Sequence, residues 1–215
     1  MTPTLTAREE ILARIRAALP SDRGHEAADI SRTYTRAGNL NREACLNLLL
    51  DRLADYESEI LHVAEESGLP AAIAQALDNA HEQRVLVDAA FPADWLPQGF
   101  DIIVDNELSI QAMNGIPAVI TTCEAAAAST GTIFLVHHGA QGRRAITLLP
   151  DHHICLLHRA QVYELIPQAL AAISAHRAES ITTISGPSAT SDIEMTRIRG
   201  VHGPRRLTVI LYGGI

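Results

Sequence analysis

The sequence predicts an α/β fold with a central sheet of mainly parallel strands and helices on both faces. Three observations carry this prediction. Short apolar runs recur at 60–64, 85–87, 102–104, 117–120, 133–136, 146–149, 154–157, 181–184 and 207–212. Several are continuous rather than alternating, the pattern of strands buried on both faces. Helical patterns lie between several of the runs, and such alternation favours a parallel or mixed sheet sandwiched by helices. The composition, 47% hydrophobic and 20% charged over 215 residues, is that of a globular chain. At this length one domain buries roughly 70% of the surface its unfolded form exposes.

Thr6 and Glu9 have capping-box spacing, and Ile11, Leu12, Ile15 and Leu19 follow on one face, so a first helix is expected over about 7–19. Pro20, Ser21, Asp22 and Gly24 stop it, and the polar stretch to Gly38 shows no period and reads as an arm or loop. Residues 1–38 are therefore expected to form a peripheral N-terminal helix and arm, and residues 39–215 the α/β domain. A second helix from about Asn41 presents Leu46, Leu49, Leu50 and Leu53 at i, i+3, i+4, i+7. Pro70 starts another, carrying Ile73 and Leu77. Val162, Leu165, Ile166, Ala169, Leu170 and Ile173 form a further helical pattern. Within it Pro167 either kinks the helix or occupies the first turn of a new one. The alanine run 125–128 suits a tightly packed turn or a short helix.

Charge and cysteine usage remove several function classes. With 17 basic and 25 acidic residues the formal net charge is -8, which opposes binding to a phosphate backbone, so nucleic acid is not an expected partner. Cys45, Cys123 and Cys155 are far apart and form no C-x-x-C pair, so neither a disulfide framework nor a cluster-ligand run is present. No G-x-G-x-x-G opens a helix after a strand. Arg8, Glu9, Glu10, Arg14 and Arg16 interrupt any apolar export segment, and no run reaches the length of a membrane span, so a cytoplasmic location is expected.

The chemistry is expected in glycine-bearing loops: Thr130-Gly131-Thr132, Gly139 to Arg144, Ser185-Gly186-Pro187-Ser188, and Gly200 to Pro204. Ligands of open α/β sheets bind beyond the carboxyl ends of strands. Arg143 and Arg144 have the chemistry for a bidentate grip on a carboxylate or phosphate, or stand solvated in a loop. Backbone amides after Ser185 can hold an anion, whereas Ser191 and Glu194 equally suit a capping box. Asp192 is placed to orient a ligand or an arginine, and His202 is either an acid-base group or a satisfied loop histidine. The candidate ligand-binding set is Thr130, Gly131, Thr132, Arg144, Gly186, Ser188, Thr190, Asp192, Glu194 and His202, with no catalytic residue assigned. No metal is expected: His137/His138 and His152/His153 are adjacent pairs whose members face opposite sides of a strand, and H-E-x-x-H is absent. Ser188 lacks the second glycine of a nucleophile elbow, because position 190 is Thr.

Taken in order, four segments resemble the lactate-utilisation C family, also called LutC or YkgG, whose shared module is the LUD domain. They are Ala128-Ser129-Thr130-Gly131-Thr132; Arg144 with Leu148-Leu149-Pro150; Gly186-Pro187-Ser188-Ala189-Thr190-Ser191-Asp192-Ile193-Glu194; and Gly200-Val201-His202-Gly203-Pro204. The match covers the C-terminal half, and the last two motifs are the most specific. Ser129 stands where the family usually has Asp or Glu. The resemblance implies a three-layer α/β/α fold similar to the sugar-phosphate isomerases and CoA transferases. It also implies a component that bears no cluster itself, working with iron-sulfur proteins to oxidise L-lactate to pyruvate. Iron-sulfur clusters are then expected on the partner proteins, with no cofactor bound by this chain. The reading from residues alone leaves a second class open, a stand-alone enzyme or binding protein for a small carboxylate, phosphate or CoA-type metabolite.

Overall fold

The computed structural model describes residues 6–18, 33–176, 178–190, 198–199 and 202–214. Two compact units divide between Tyr34 and Thr35, where the sequence reading places a boundary after residue 38. In the first unit α1 spans Ala7–Ala18. Its capping box forms: the Thr6 N–H donates to Glu9 Oε2 at 2.8 Å and the Glu9 N–H to Thr6 Oγ1 at 3.4 Å. None of its residues is buried.

The second unit begins with α2, Arg42–Asp55, capped by the Asn41 side chain accepting from the Ala44 N–H. There follow β1 (Glu59–Val63), α3 (Leu69–Asn79), β2 (Arg84–Asp88), β3 (Asp101–Asp105), α4 (Ile110–Met113), β4 (Ala118–Thr122), β5 (Ala125–Ala127) and β6 (Thr132–Val136). The chain continues through β7 (His152–His158), β8 (Val162–Tyr163), α5 (Ile166–Ala172), β9 (Ile181–Ile184), β10 (Ala189–Thr190), β11 (Ile198–Arg199) and β12 (Arg206–Tyr212).

Six strands form one sheet in the order β1-β12-β7-β4-β2-β3, and every pairing in it is parallel. The central strands β4, β7 and β12 are buried almost throughout, which is why their sequences read as continuous apolar runs. On one face α3 buries Leu69, Ile73 and Leu77 against Val85, Val87, Ile120, Ile154 and Ile210. On the other, α2 buries Leu46, Leu49 and Leu53 with Cys155, Leu157, Val209 and Leu211. A second sheet, β8-β5-β6-β9, joins this latter core through Ala126, Ile133 and Leu135. Its opposite face carries α5, through Ala169 and Ile173 packed on Ala125, Ala127, Phe134 and Val136. In β5–β6 and β6–β9 the pairing is antiparallel, so the molecule is mainly but not wholly parallel.

Three local expectations are corrected. The run 146–149 is no strand: Arg144–Thr147 forms a 3-10 turn that buries Ile146 and Thr147 while Leu148 and Leu149 are exposed, and Pro150 follows directly. The alanine run is β5, a strand with all three residues buried, followed by a 3-10 turn at Ala128–Thr130. Small side chains allow it to pass between the α2 core and α5. Pro167 lies in the first turn of α5, where its missing N–H costs no helical hydrogen bond, and Val162 belongs instead to β8.

Candidate functional site

The 3-10 turn at Arg144–Thr147 leads towards β7, and the Ser185–Ser188 loop leaves the end of β9. Together with His202-Gly203-Pro204, which leads into β12, they enclose a cavity of about 240 Å³. Its wall combines the carboxyl end of β9 with the amino ends of β7 and β12, through His153 and Leu207. The cavity therefore lies beyond the carboxyl end of a strand in the small sheet only. Two strands of the large sheet contribute their beginnings because the loops that carry the motifs run into them.

Backbone and hydroxyl contacts fix the loops. The Ser188 N–H donates to the Pro204 carbonyl at 2.8 Å, and the His202 N–H to Ser188 Oγ at 3.1 Å. Thus the two most specific sequence motifs are hydrogen-bonded to each other. Gly186 has φ +84°, and a Cβ there would lie 2.5 Å from the Tyr56 Cβ. Gly131, at φ +61°, would place a Cβ 2.9 Å from that of Arg52. Both turns need glycine for the same two reasons: a left-handed backbone and the close approach of the end of α2.

Of the residues expected in the site, Arg144, Gly186, Ser188 and His202 line the cavity. Thr130, Gly131 and Thr132 stand behind it. Thr130 Oγ1 lies 2.7 Å from Thr132 Oγ1, which lies 2.9 Å from Ser185 Oγ on the cavity wall. This hydroxyl chain supports the loop rather than opening onto the cavity. Thr190 lies in β10, paired with Ile198. Asp192 and Glu194, with the capping box proposed at Ser191, lie outside the described residues.

The two arginines divide their work. Arg143 grips Asp105, with Nε to Oδ2 at 2.7 Å and Nη2 to Oδ1 at 2.9 Å, and it also donates to the Leu108 carbonyl. That bidentate grip holds the Asp105 carboxyl below the usual carboxylate range, outweighing burial, with help from the Leu108 N–H. Arg144 instead donates to Thr147 Oγ1 at 3.1 Å and reaches the cavity, where it is the one fixed charge among the described lining residues. The cavity consequently favours an anion.

His153 was not among the expected site residues. It lines the cavity with 1% of its surface exposed, and its Nε2 lies 2.8 Å from Thr121 Oγ1. Its Nδ1 is buried without a hydrogen-bond partner. Burial, then the charges of His152 and Arg144, push its pKa down to about 3, so the ring is neutral. A buried unpaired nitrogen on a residue of the cavity wall is a group that a bound polar ligand would satisfy. The available signal was a histidine entering an otherwise apolar run at 154–157, where the second position of a buried strand points to an interior polar contact. Its neighbour His152 faces the other side, bonding Glu82 Oε2 at 2.7 Å and Thr208 Oγ1 at 2.8 Å.

No helix of the described residues is long and apolar enough to cross a membrane. The sequence profile of the LUD domain matches residues 48–212. A protein of Deinococcus radiodurans described as lactate utilization protein C is 41% identical over 98% of this chain and 97% of its own length. A lactate utilization protein C of Bacillus pumilus is 27% identical over 98% of each chain. The crystal structure of a DUF162 family protein from Deinococcus radiodurans superposes with a TM-score of 0.71 at 40% identity, covering 81% of this chain and all of that one. The motifs that line the cavity fall inside the matched region, and the chain belongs to the LUD domain family.

Proposed function

We propose that this protein serves lactate utilisation in the cytoplasm by binding a small carboxylate in the Arg144 cavity. In this reading it acts as one component of a system whose iron-sulfur proteins carry out the oxidation of L-lactate to pyruvate. The observation that carries the proposal is the convergence of Arg144, Ser188 and His202 with His153, whose buried Nδ1 has no partner. Arg144 supplies the charge for a carboxylate. In the tautomer in which His153 Nε2 accepts from the Thr121 hydroxyl, Nδ1 carries the proton and is a neutral donor for the ligand. The names of the relatives supply the pathway. Electron transfer is assigned to partners because the three separated cysteines offer no four-thiolate site.

Two measurements test the reading. L-lactate and pyruvate titrated into the purified chain should bind, and Arg144→Ala should weaken that binding by about 1.5–3 kcal/mol. Deleting the gene should abolish growth on L-lactate, and the wild-type copy, but not Arg144→Ala, should restore it. Normal growth of the deletion strain without a redundant homologue would remove the lactate assignment. That described residues of this one chain line the cavity keeps a second reading in play, a stand-alone enzyme for a small anionic metabolite. Turnover of such a metabolite by the purified chain, with no co-purifying iron-sulfur protein, would establish it instead.

A further inference from the structure

Outside the cavity, one carboxylate and two imidazoles meet at the end of β6 remote from Thr132. Glu124 precedes β5 and its N–H bonds the Phe134 carbonyl; His138 follows β6; His176 ends the 3-10 turn after α5. We propose that Glu124, His138 and His176 bind one divalent transition-metal ion of zinc type. The proposal is independent of the carboxylate cavity.

The donor atoms surround a gap. Glu124 Oε2 lies 3.9 Å from His138 Nε2, Glu124 Oε1 lies 3.8 Å from His176 Nε2, and all the donor atoms lie within 4.8 Å of one another. These separations are too long for hydrogen bonds, and His138 Nε2 is buried without a partner. A tetrahedral ion with bonds of about 2.0–2.1 Å places its ligand atoms about 3.4 Å apart, so the two carboxylate–imidazole separations close with shifts of about half an ångström, and separations up to 4.8 Å need side-chain rotation as well. The two rings are stacked with centroids 4.5 Å apart and planes 19° apart, so they are neighbours, and sharing an ion requires them to turn until their planes converge on it.

The supporting contacts are those a metal site requires. His176 Nδ1 lies 2.9 Å from Glu179 Oε1, the carboxylate-to-imidazole contact that fixes the tautomer leaving Nε2 free to coordinate. Gln141, buried, donates from Nε2 to Glu124 Oε2 at 2.9 Å and accepts the Val136 N–H at Oε1. Glu124 and His176 are thus each oriented by a second residue. His138 Nε2 and His176 Nε2 stand at nearly equal distances from the two oxygens of Glu124, and the buried His138 nitrogen makes no hydrogen bond. Two imidazoles and one carboxylate suit zinc-type ions rather than magnesium or calcium, which take oxygen ligands. Three protein ligands leave a position for water or a small anion.

The proposal departs from the expectation of no metal but does not use either adjacent histidine pair. His137 turns away to the Gly142 carbonyl and Thr182 Oγ1, and the second imidazole comes from a distant segment.

The test uses the full chain, tag-free and stripped with a chelator, titrated with zinc chloride by calorimetry and with cobalt chloride by visible absorption. Expected are a single equivalent of zinc and cobalt d–d bands. Glu179→Gln should weaken zinc binding by ~10–100-fold, and His138→Gln and His176→Ala by more. His138 is 40% exposed at its side chain, so His138→Gln should keep the metal-free melting temperature of the wild type. The proposal is overturned if wild type takes up no more zinc than the His138→Gln/His176→Ala double variant, or if cobalt bands persist in that variant.

Discussion

Gly186 approaches Tyr56 so closely that a Cβ built on the glycine would stand 2.5 Å from the tyrosine Cβ. The same tyrosine flanks Gly131, where an added methyl would meet its Cε2 at 3.2 Å. The end of α2 therefore holds together two loops far apart in sequence, one lining the cavity and one supporting it.

Gly186→Ala should destabilise the protein by about 2–4 kcal/mol, combining left-handed strain with overpacking. Gly99→Ala is the control, because Gly99 has φ +87° but nothing within 4 Å of its would-be Cβ. It should show the backbone strain alone, about 1–2 kcal/mol. Urea unfolding of both variants separates the two effects. Equal losses would mean that α2 yields to the new methyl without cost.

Asp105 has a side chain 2% exposed, and its partner Arg143 is 42% exposed. Arg143→Ala should cost about 2–4 kcal/mol at neutral pH, because it strands a buried carboxylate. The folded carboxyl is held below its ordinary range, so its contribution to stability is present above the unfolded pKa of about 3.9 and is lost as pH falls through the folded value. Asp105→Asn should remove that part of the acid dependence. Denaturation midpoints between pH 2 and pH 5, run for wild type and variant, check it; identical pH profiles would refute the assigned role.

How much of this was legible depends on range. Local signals worked where the physics is local: Thr6 with Glu9 and Asn41 before α2 satisfy backbone groups within a few residues, and Pro70 removes an unpaired donor from the first turn of α3. Continuous apolar runs marked the buried strands, and the glycine motifs marked the loops that meet at Ser188 and His202. Contacts across the fold carried no such signal. Ala125–Ala127 is a strand because two layers close on it, not because alanine favours strands. Arg143 and Arg144 are neighbours in sequence, and only the position of Asp105 decides which of them is free for the cavity. His138 and His176 belong together only once α5 has folded back over β5 and β6.

His153 should leave a pH signature of opposite origin. Its folded pKa of about 3 lies below the ordinary histidine value of about 6.5, because burial penalises the charged ring. Between those limits the unfolded chain binds a proton that the folded one does not. Stability must then rise with pH across the window and be lost on acidification from about 6.5 downwards, at up to about 1.4 kcal/mol per pH unit. Above about 6.5 both states are neutral at this position and the effect is flat. His153→Gln keeps an amide within reach of Thr121 but does not titrate, so the wild-type-minus-variant stability difference should slope below pH 6.5 and level above it. Chemical denaturation at intervals from pH 4 to pH 8 measures this directly. A difference that stays constant across that range would mean the imidazole titrates alike in both states, and that its neutral, donor-ready form is not built into the cavity wall.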